Sequence, residues 1–256
     1  MKNQSLTKEY ILECLQKHTY LSNWNSENCC VEDVIRPLRE SGCFGEDSWS
    51  WDSGVSKLVL IFKGLDFVVK IPFTGSTYYD EHYDEDTEEW VSNEEPTEEY
   101  FNLENAPDCV LDRFSKDCWD YCDIECDRFH LASDVGLSDC FAKTEFLGWV
   151  NHIPVYIQQR AIMFQDDEAR NSRDSSGIEY DSEENVSKVD TLREKTDLWV
   201  DRDWTLDFIH YYGETVFEKF AEFCKKWDIE DLHNGNIGYV GGRPCLVDYS
   251  SWYSEC

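Results

Sequence analysis

Asp231 and Asn236 stand five residues apart in Asp231-Leu232-His233-Asn234-Gly235-Asn236, and Asp248 follows in Val247-Asp248-Tyr249-Ser250. Phosphoryl transfer from a nucleotide needs a cation on the phosphates, oxygen ligands for magnesium and a carboxylate aimed at the acceptor hydroxyl. Two aspartates and an amide supply the last two requirements. Their spacing also predicts how they meet. Gly235 lets the loop bend, and Ile237–Val240 leaves it as a strand. Gly241-Gly242 reverses the chain, and Arg243–Val247 returns to set Asp248 near Asn236. Singly, Asp231 could cap a turn, Asn236 could open a strand and Asp248 could end one. Together, as a loop, a hairpin and a returning aspartate, they read as a site. A histidine placed like His233 more often orients such a loop through hydrogen bonds than does acid/base work, and its role is left open.

The elements that must hold this loop follow from hydrophobic periodicity. Apolar residues at helical spacing predict helices over 6–18 and 31–40, packed on a partner surface. Lys57–Phe62 and Phe67–Pro72 are β-rich runs joined by Lys63-Gly64-Leu65-Asp66, a hairpin reversing at Gly64. Alternation in the second run puts Lys70 on the face of Val68 and away from Val69. Residues 79–108 are dense in acid and are expected to be a solvated insertion. A helix is expected over 112–136, then a second hairpin from strands 144–150 and 154–158. Residues 166–197 have the composition of a mobile polar insertion, and helices follow over 199–210 and 214–227. Strands early and helices late make this an α+β protein rather than a doubly wound sheet.

The loop resembles the Asp-x-x-x-x-Asn catalytic loop of the protein-kinase-like superfamily. In texture it is nearest the aminoglycoside-phosphotransferase and small bacterial or phage kinase-like branches. Asp248-Tyr249-Ser250 resembles that superfamily's Asp-Phe-Gly magnesium motif. The resemblance implies ATP and Mg as cofactors, Asp231 as the base, and Asn236 and Asp248 as metal ligands. By the same resemblance Lys70 is the third-strand lysine on the ATP phosphates, and Glu125 is its partner on the next helix. Tyr156-Ile157-Gln158 is the hinge whose backbone holds adenine. Ser53-Gly54-Val55-Ser56-Lys57 takes the place of the phosphate-covering turn, with Ser56 and Lys57 as phosphate contacts. These motifs occur in the superfamily's order. The departures are Ile229-Glu230 before Asp231, no glycine-rich G-x-G-x-x-G, and Tyr249-Ser250 for Phe-Gly. Only residues 249–256 follow Asp248, so the resemblance implies an abbreviated C-lobe lacking the docking platform for peptide substrates. The expected organisation is an N-terminal helical extension (1–45), a β-rich N-lobe (46–160) and a helical C-lobe (161–256), a two-lobed kinase-like fold.

Composition narrows the alternatives. The formal charge of −31, from 54 acidic and 23 basic side chains, repels nucleic acid and suits a basic protein partner at the acidic insertions, or simply solubility. With 41% hydrophobic residues the chain buries a real core. No secretory leader and no apolar run of about eighteen residues is evident, so no membrane association and a cytoplasmic location are expected. The 12 cysteines are then expected as reduced thiols. Cys118, Cys122 and Cys126 repeat at helical spacing, as a helix face rather than a zinc site. Two rival readings keep the fold or the charge without the chemistry. One is a pseudokinase-type regulator, and the other is an acidic decoy of a basic protein surface.

Overall fold

The computed structural model describes residues 6–19, 32–53, 57–72, 76–78, 81–84, 89–92, 97–99, 121–150 and 153–250. The chain forms an α+β fold in two compact units. The first takes residues 1–123 and 145–157, and the second takes 124–144 and 158–254. Neither is a single stretch of sequence. The helix expected with the early strands therefore belongs mostly to the second unit.

The first unit is organised by strands β1 (Trp49–Ser53), β2 (Lys57–Phe62), β3 (Phe67–Pro72), β8 (Thr144–Val150) and β9 (Ile153–Gln159). They form one sheet in the order β1-β2-β3-β9-β8. The β2–β3 hairpin turns at Gly64, whose φ of +80° is one that L side chains rarely adopt. Register pairs Leu58 with Ile71, Leu60 with Val69 and Trp49 with Phe62, so alternate residues share one apolar face. That face is covered by α1 (Lys8–His18) and α2 (Glu32–Ser41). Ile11 and Leu15 of α1, with Val34, Ile35 and Leu38 of α2, join Leu58, Leu60, Val69, Val155 and Ile157 in one core. Thr7 caps α1 by accepting from the Tyr10 amide at 3.2 Å. The two N-terminal helices are thus the cover of the sheet and not a separate extension.

The acidic stretch departs from expectation. Parts of it pair as two short antiparallel ladders, β4 (Ser76–Tyr78) with β7 (Thr97–Glu99) and β5 (Glu81–Asp84) with β6 (Glu89–Ser92). The ladder bonds join backbone N–H and C=O groups, which every residue carries, and that is why composition alone misses them.

The second unit begins with α3 (Tyr121–Asp134), of which residues from Ile124 belong to it. It continues through β10 (Ile162–Met163), α4 (Asp167–Asp174), α5 (Glu183–Thr196), α6 (Arg202–Tyr212), α7 (Glu214–Lys226), β11 (Ile237–Val240) and β12 (Arg243–Leu246). Residues 166–197, expected to be mobile, instead carry α4 and α5. Ser182 caps α5 by accepting from the Asn185 amide at 3.3 Å, and Val189 and Leu192 anchor its buried side. Ion pairs from Lys188 to Glu214 (2.9 Å) and Lys195 to Glu218 (2.7 Å) tie α5 to α7. The core is aromatic. Trp204 is fully buried against Phe208 and Phe220, with ring centroids 5.2 and 6.2 Å away. Its indole N–H donates to the Gly238 carbonyl at 3.3 Å.

No helix among the described residues is long and apolar enough to cross a membrane. The described cysteines, among them Cys14, Cys122, Cys126, Cys224 and Cys245, carry free thiols. Burial pushes Cys245 up to about 12, so it is an inert core thiol. Cys118 lies outside the described residues. No group of three His, Cys, Asp or Glu side chains among the described residues could hold a metal ion.

β10 approaches β11 closely at Gly238, where a Cβ would stand 2.6 Å from the Ile162 carbonyl oxygen. Gly238→Ala is therefore expected to cost about 1–3 kcal/mol, since backbone and not a flexible side chain must yield. Urea denaturation of the two proteins measures it.

Candidate functional site

The segment bearing Asp231 begins where α7 ends. Asp228 adopts a left-handed conformation (φ 51°). The Ile229 amide donates to the Cys224 carbonyl at 2.9 Å and the Asp228 amide to the Lys225 carbonyl at 3.4 Å. This is a Schellman ending, in which one left-handed residue closes the helix and redirects the chain. Ile229 and Leu232 are buried beyond it, and Asp231 between them is half-exposed.

Asn236 organises the loop. Its amide nitrogen donates to the Asp231 backbone carbonyl at 2.8 Å and to Asp231 Oδ2 at 3.0 Å. Its own carbonyl accepts from the Val247 amide at 2.8 Å and the Asp248 amide at 3.4 Å. One residue thus joins the loop aspartate to the aspartate that returns after the hairpin. The β11–β12 register, Ile237 with Leu246 and Val240 with Arg243, makes this possible. His233 completes the loop. Its Nδ1 accepts from the Gly235 amide at 2.9 Å, which leaves Nε2 to carry the proton, 3.6 Å from Asp231 Oδ1. Asn234 donates to Asp201 Oδ2 at 3.4 Å, and Asp201 also caps α6 through the Asp203 and Trp204 amides. Side-chain contacts thus join Asp231, Asn236 and His233, and a backbone bond joins Asn236 to Asp248.

Asp248 is held from behind. Ser250 Oγ donates to Asp248 Oδ1 at 3.0 Å. Arg128, 3% exposed on α3, donates to the carbonyls of Tyr249 (2.6 Å), Ser250 and Trp227 (2.6 Å). The Tyr249 side chain is buried against Phe141, its hydroxyl donating to the Ala142 carbonyl at 2.8 Å and lying 3.2 Å from Thr144 Oγ1. Glu125, fully buried, accepts from Thr144 Oγ1 at 3.1 Å and from Gln158 Nε2 at 3.3 Å. Gln158 Nε2 also lies 2.8 Å from Thr144 Oγ1 and 2.7 Å from the Val247 carbonyl. Glu125 is thereby placed in a polar network under the Asp248 turn.

Lys70 belongs to the first unit, on β3, and is 3% exposed. It pairs with Val59 while Lys57 pairs with Pro72, so the two lysines are diagonal neighbours on the sheet face opposite the apolar core. Lys57 is 4% exposed within β2 rather than on an open turn, because the strand begins at it. Ser56 lies outside the described residues. Tyr156, Ile157 and Gln158 fall inside β9, which is flanked by β3 on one side and β8 on the other. Sheet ladders take up the backbone there, and the first residues past the strand are Arg160 and Ala161.

Oxygen donors of this kind suit a hard divalent cation. Asn236 spends its amide nitrogen on Asp231, and no hydrogen bond among the described residues occupies its Oδ1. Sequence reasoning missed Arg128, Asp201 and the Thr144–Gln158–Tyr249 network. Their partners are backbone carbonyls or lie far along the chain, and neither leaves a spacing to find.

Burial, with the nearby Glu125 charge, raises the Tyr249 phenol well above its ordinary value of 10, and the Thr144 hydrogen bond opposes this. A raised folded-state value means the stabilisation is present below about pH 10 and lost as pH rises further. Tyr249→Phe should cost about 1–3 kcal/mol at neutral pH, because the Ala142 carbonyl loses its donor. The gap between wild type and variant should shrink above pH 10, as urea melts at both pH values would show. Compared with known protein families, curated proteins and solved structures, the chain matches none.

Proposed function

We propose that the chain is an ATP- and magnesium-dependent phosphotransferase with a two-lobed, protein-kinase-like fold. The observation that carries this reading is Asn236, bonded through its side chain to Asp231 and through its backbone to Val247 and Asp248. A candidate base and two candidate metal ligands are joined by one residue. The chain order adds support, with a buried lysine on the third strand, a buried glutamate on the next helix, and then the helix, loop and hairpin.

In this reading Asp231 accepts the proton of the attacking hydroxyl, and Asn236 and His233 hold its carboxylate in position. Asn236 Oδ1 and the Asp248 carboxylate hold magnesium, which when bound neutralises charge on the phosphate oxygens. Lys70 takes the phosphates and Glu125 orients it. Lys57 adds positive charge on the same sheet face. Adenine would be read by backbone beyond β9, at Arg160 and Ala161. The acceptor hydroxyl is left open.

Thermal stability against magnesium-ATP tests the nucleotide site. A ligand that binds only the folded state adds about 2.7 kcal/mol at a hundredfold excess over Kd. The rise should require magnesium and should be lost in Asp248→Asn. Asp231→Asn should keep the rise but stop ADP release. Stabilisation without turnover in the wild type would instead indicate a regulator that binds nucleotide, and no rise at millimolar nucleotide would sink both readings.

A further inference from the structure

A second cavity, of about 450 Å³, opens in the second unit among β10, α4, α6 and the β11–β12 hairpin. It is separate from the Asp231 loop. Its α6 wall is Asp207, six residues beyond the Asp201 cap that meets Asn234, or about 9 Å along the helix. Its floor lies towards the hairpin turn, at Gly242 and Pro244, the end away from Asn236. A volume of this size matches a small organic ligand.

The polar groups of this cavity are arranged around one carboxylate. Asp207 Oδ1 accepts from the Tyr180 hydroxyl at 2.5 Å and Oδ2 from the Tyr239 hydroxyl at 2.6 Å. Both phenol protons are spent on the carboxylate, so the two phenol oxygens offer lone pairs and no donor. Arg173 is occupied elsewhere. Its guanidinium stacks 3.9 Å over the Phe164 ring and donates to the Phe164 carbonyl at 3.1 Å, with Tyr239 Oη at 3.5 Å. Glu168 adds a second, exposed carboxylate at the wall, and Tyr211, 56% exposed, adds an open aromatic face at the rim.

We propose that this cavity binds an organic cation with a flat apolar body, its charge set against Asp207 and Glu168 and its body against Tyr211 and Tyr239. Aromatic faces and carboxylates both attract a cation, and the two phenol oxygens suit an N–H donor. An anion would meet two carboxylates, and of the two basic side chains at the lining, Arg173 is already engaged with Phe164 and Tyr239 while His210 stands on the α6 wall. Burial also holds the Asp207 carboxyl above its ordinary range, opposed by the two phenol hydrogen bonds and by Arg173 and His210, so an arriving cation adds counter-charge where burial has removed solvent.

Titration calorimetry of the full chain with benzylammonium, benzyl alcohol and benzoate tests this at neutral pH and about 150 mM salt, where general attraction to the acidic surface is screened. Benzylammonium should bind saturably, one per chain and about tenfold more tightly than benzyl alcohol. Benzoate should not bind. Asp207→Asn should remove the preference for the cation. Should that variant fail to fold, Glu168→Gln and Tyr211→Ala, both at exposed positions, should each weaken benzylammonium several-fold. Benzyl alcohol or benzoate binding as tightly as the cation would overturn the proposal. So would cation uptake that is absent, not saturable, or unchanged in these variants.

Discussion

A guanidinium 3% exposed must find acceptors, because burying an unpaired charge would cost several kcal/mol. Arg128 finds them at three backbone carbonyls, Trp227, Tyr249 and Ser250. Trp227 ends α7 and the other two follow Asp248, so one side chain fixes both ends of the segment that carries Asp231, Asn236 and Asp248. Within those fixed ends, the Schellman turn at Asp228 and the β11–β12 register leave the loop little freedom. Asn236 then has both aspartates within reach. The geometry of the site is a property of its anchors as much as of its own residues.

Charge is distributed with the same economy. In a chain of net charge −31, basic side chains are scarce, and their positions are informative. Several tie elements of the second unit together, from Lys225 of α7 to Asp197 at 3.1 Å and from Arg243 of β12 to Asp139, besides the pairs between α5 and α7. Exposed pairs of this sort contribute about 0–1 kcal/mol each, so they select helix register more than they stabilise it. The buried bases are different. Arg128, Lys57 and Lys70 have given up solvent, which charged side chains rarely do unless they are paired.

Much of the fold was legible where a physical rule acts locally. Alternation and a glycine turn give β2, β3 and β11 at their observed bounds and β12 to within one residue, since every side chain in them has one face to choose. The loop residues Asp231 and Asn236 were legible because the chemistry fixes their types and the hairpin fixes their spacing. α4 and α5 were not. Their exposed faces are so highly charged that composition resembles a linker, and only Ala169, Val189 and Leu192 reveal a buried side. Apolar content cannot say where a strand stops, and the run expected over 154–158 is part of β9, Ile153–Gln159. Arg128 was invisible for a different reason. Its partners are 99, 121 and 122 residues away and are peptide carbonyls, which every residue has.

The two compact units are braided along the chain, since the first resumes at residues 145–157 after the second has begun at 124. β9, from the later stretch, inserts beside β3 from the earlier one. No single cut separates a complete sheet from a complete helical unit. Gene fragments that end between them would encode neither, and a recombination event could not exchange one for a homologous counterpart. Whatever this protein does, the sheet with its lysines and the loop with its aspartates are transmitted as one heritable unit.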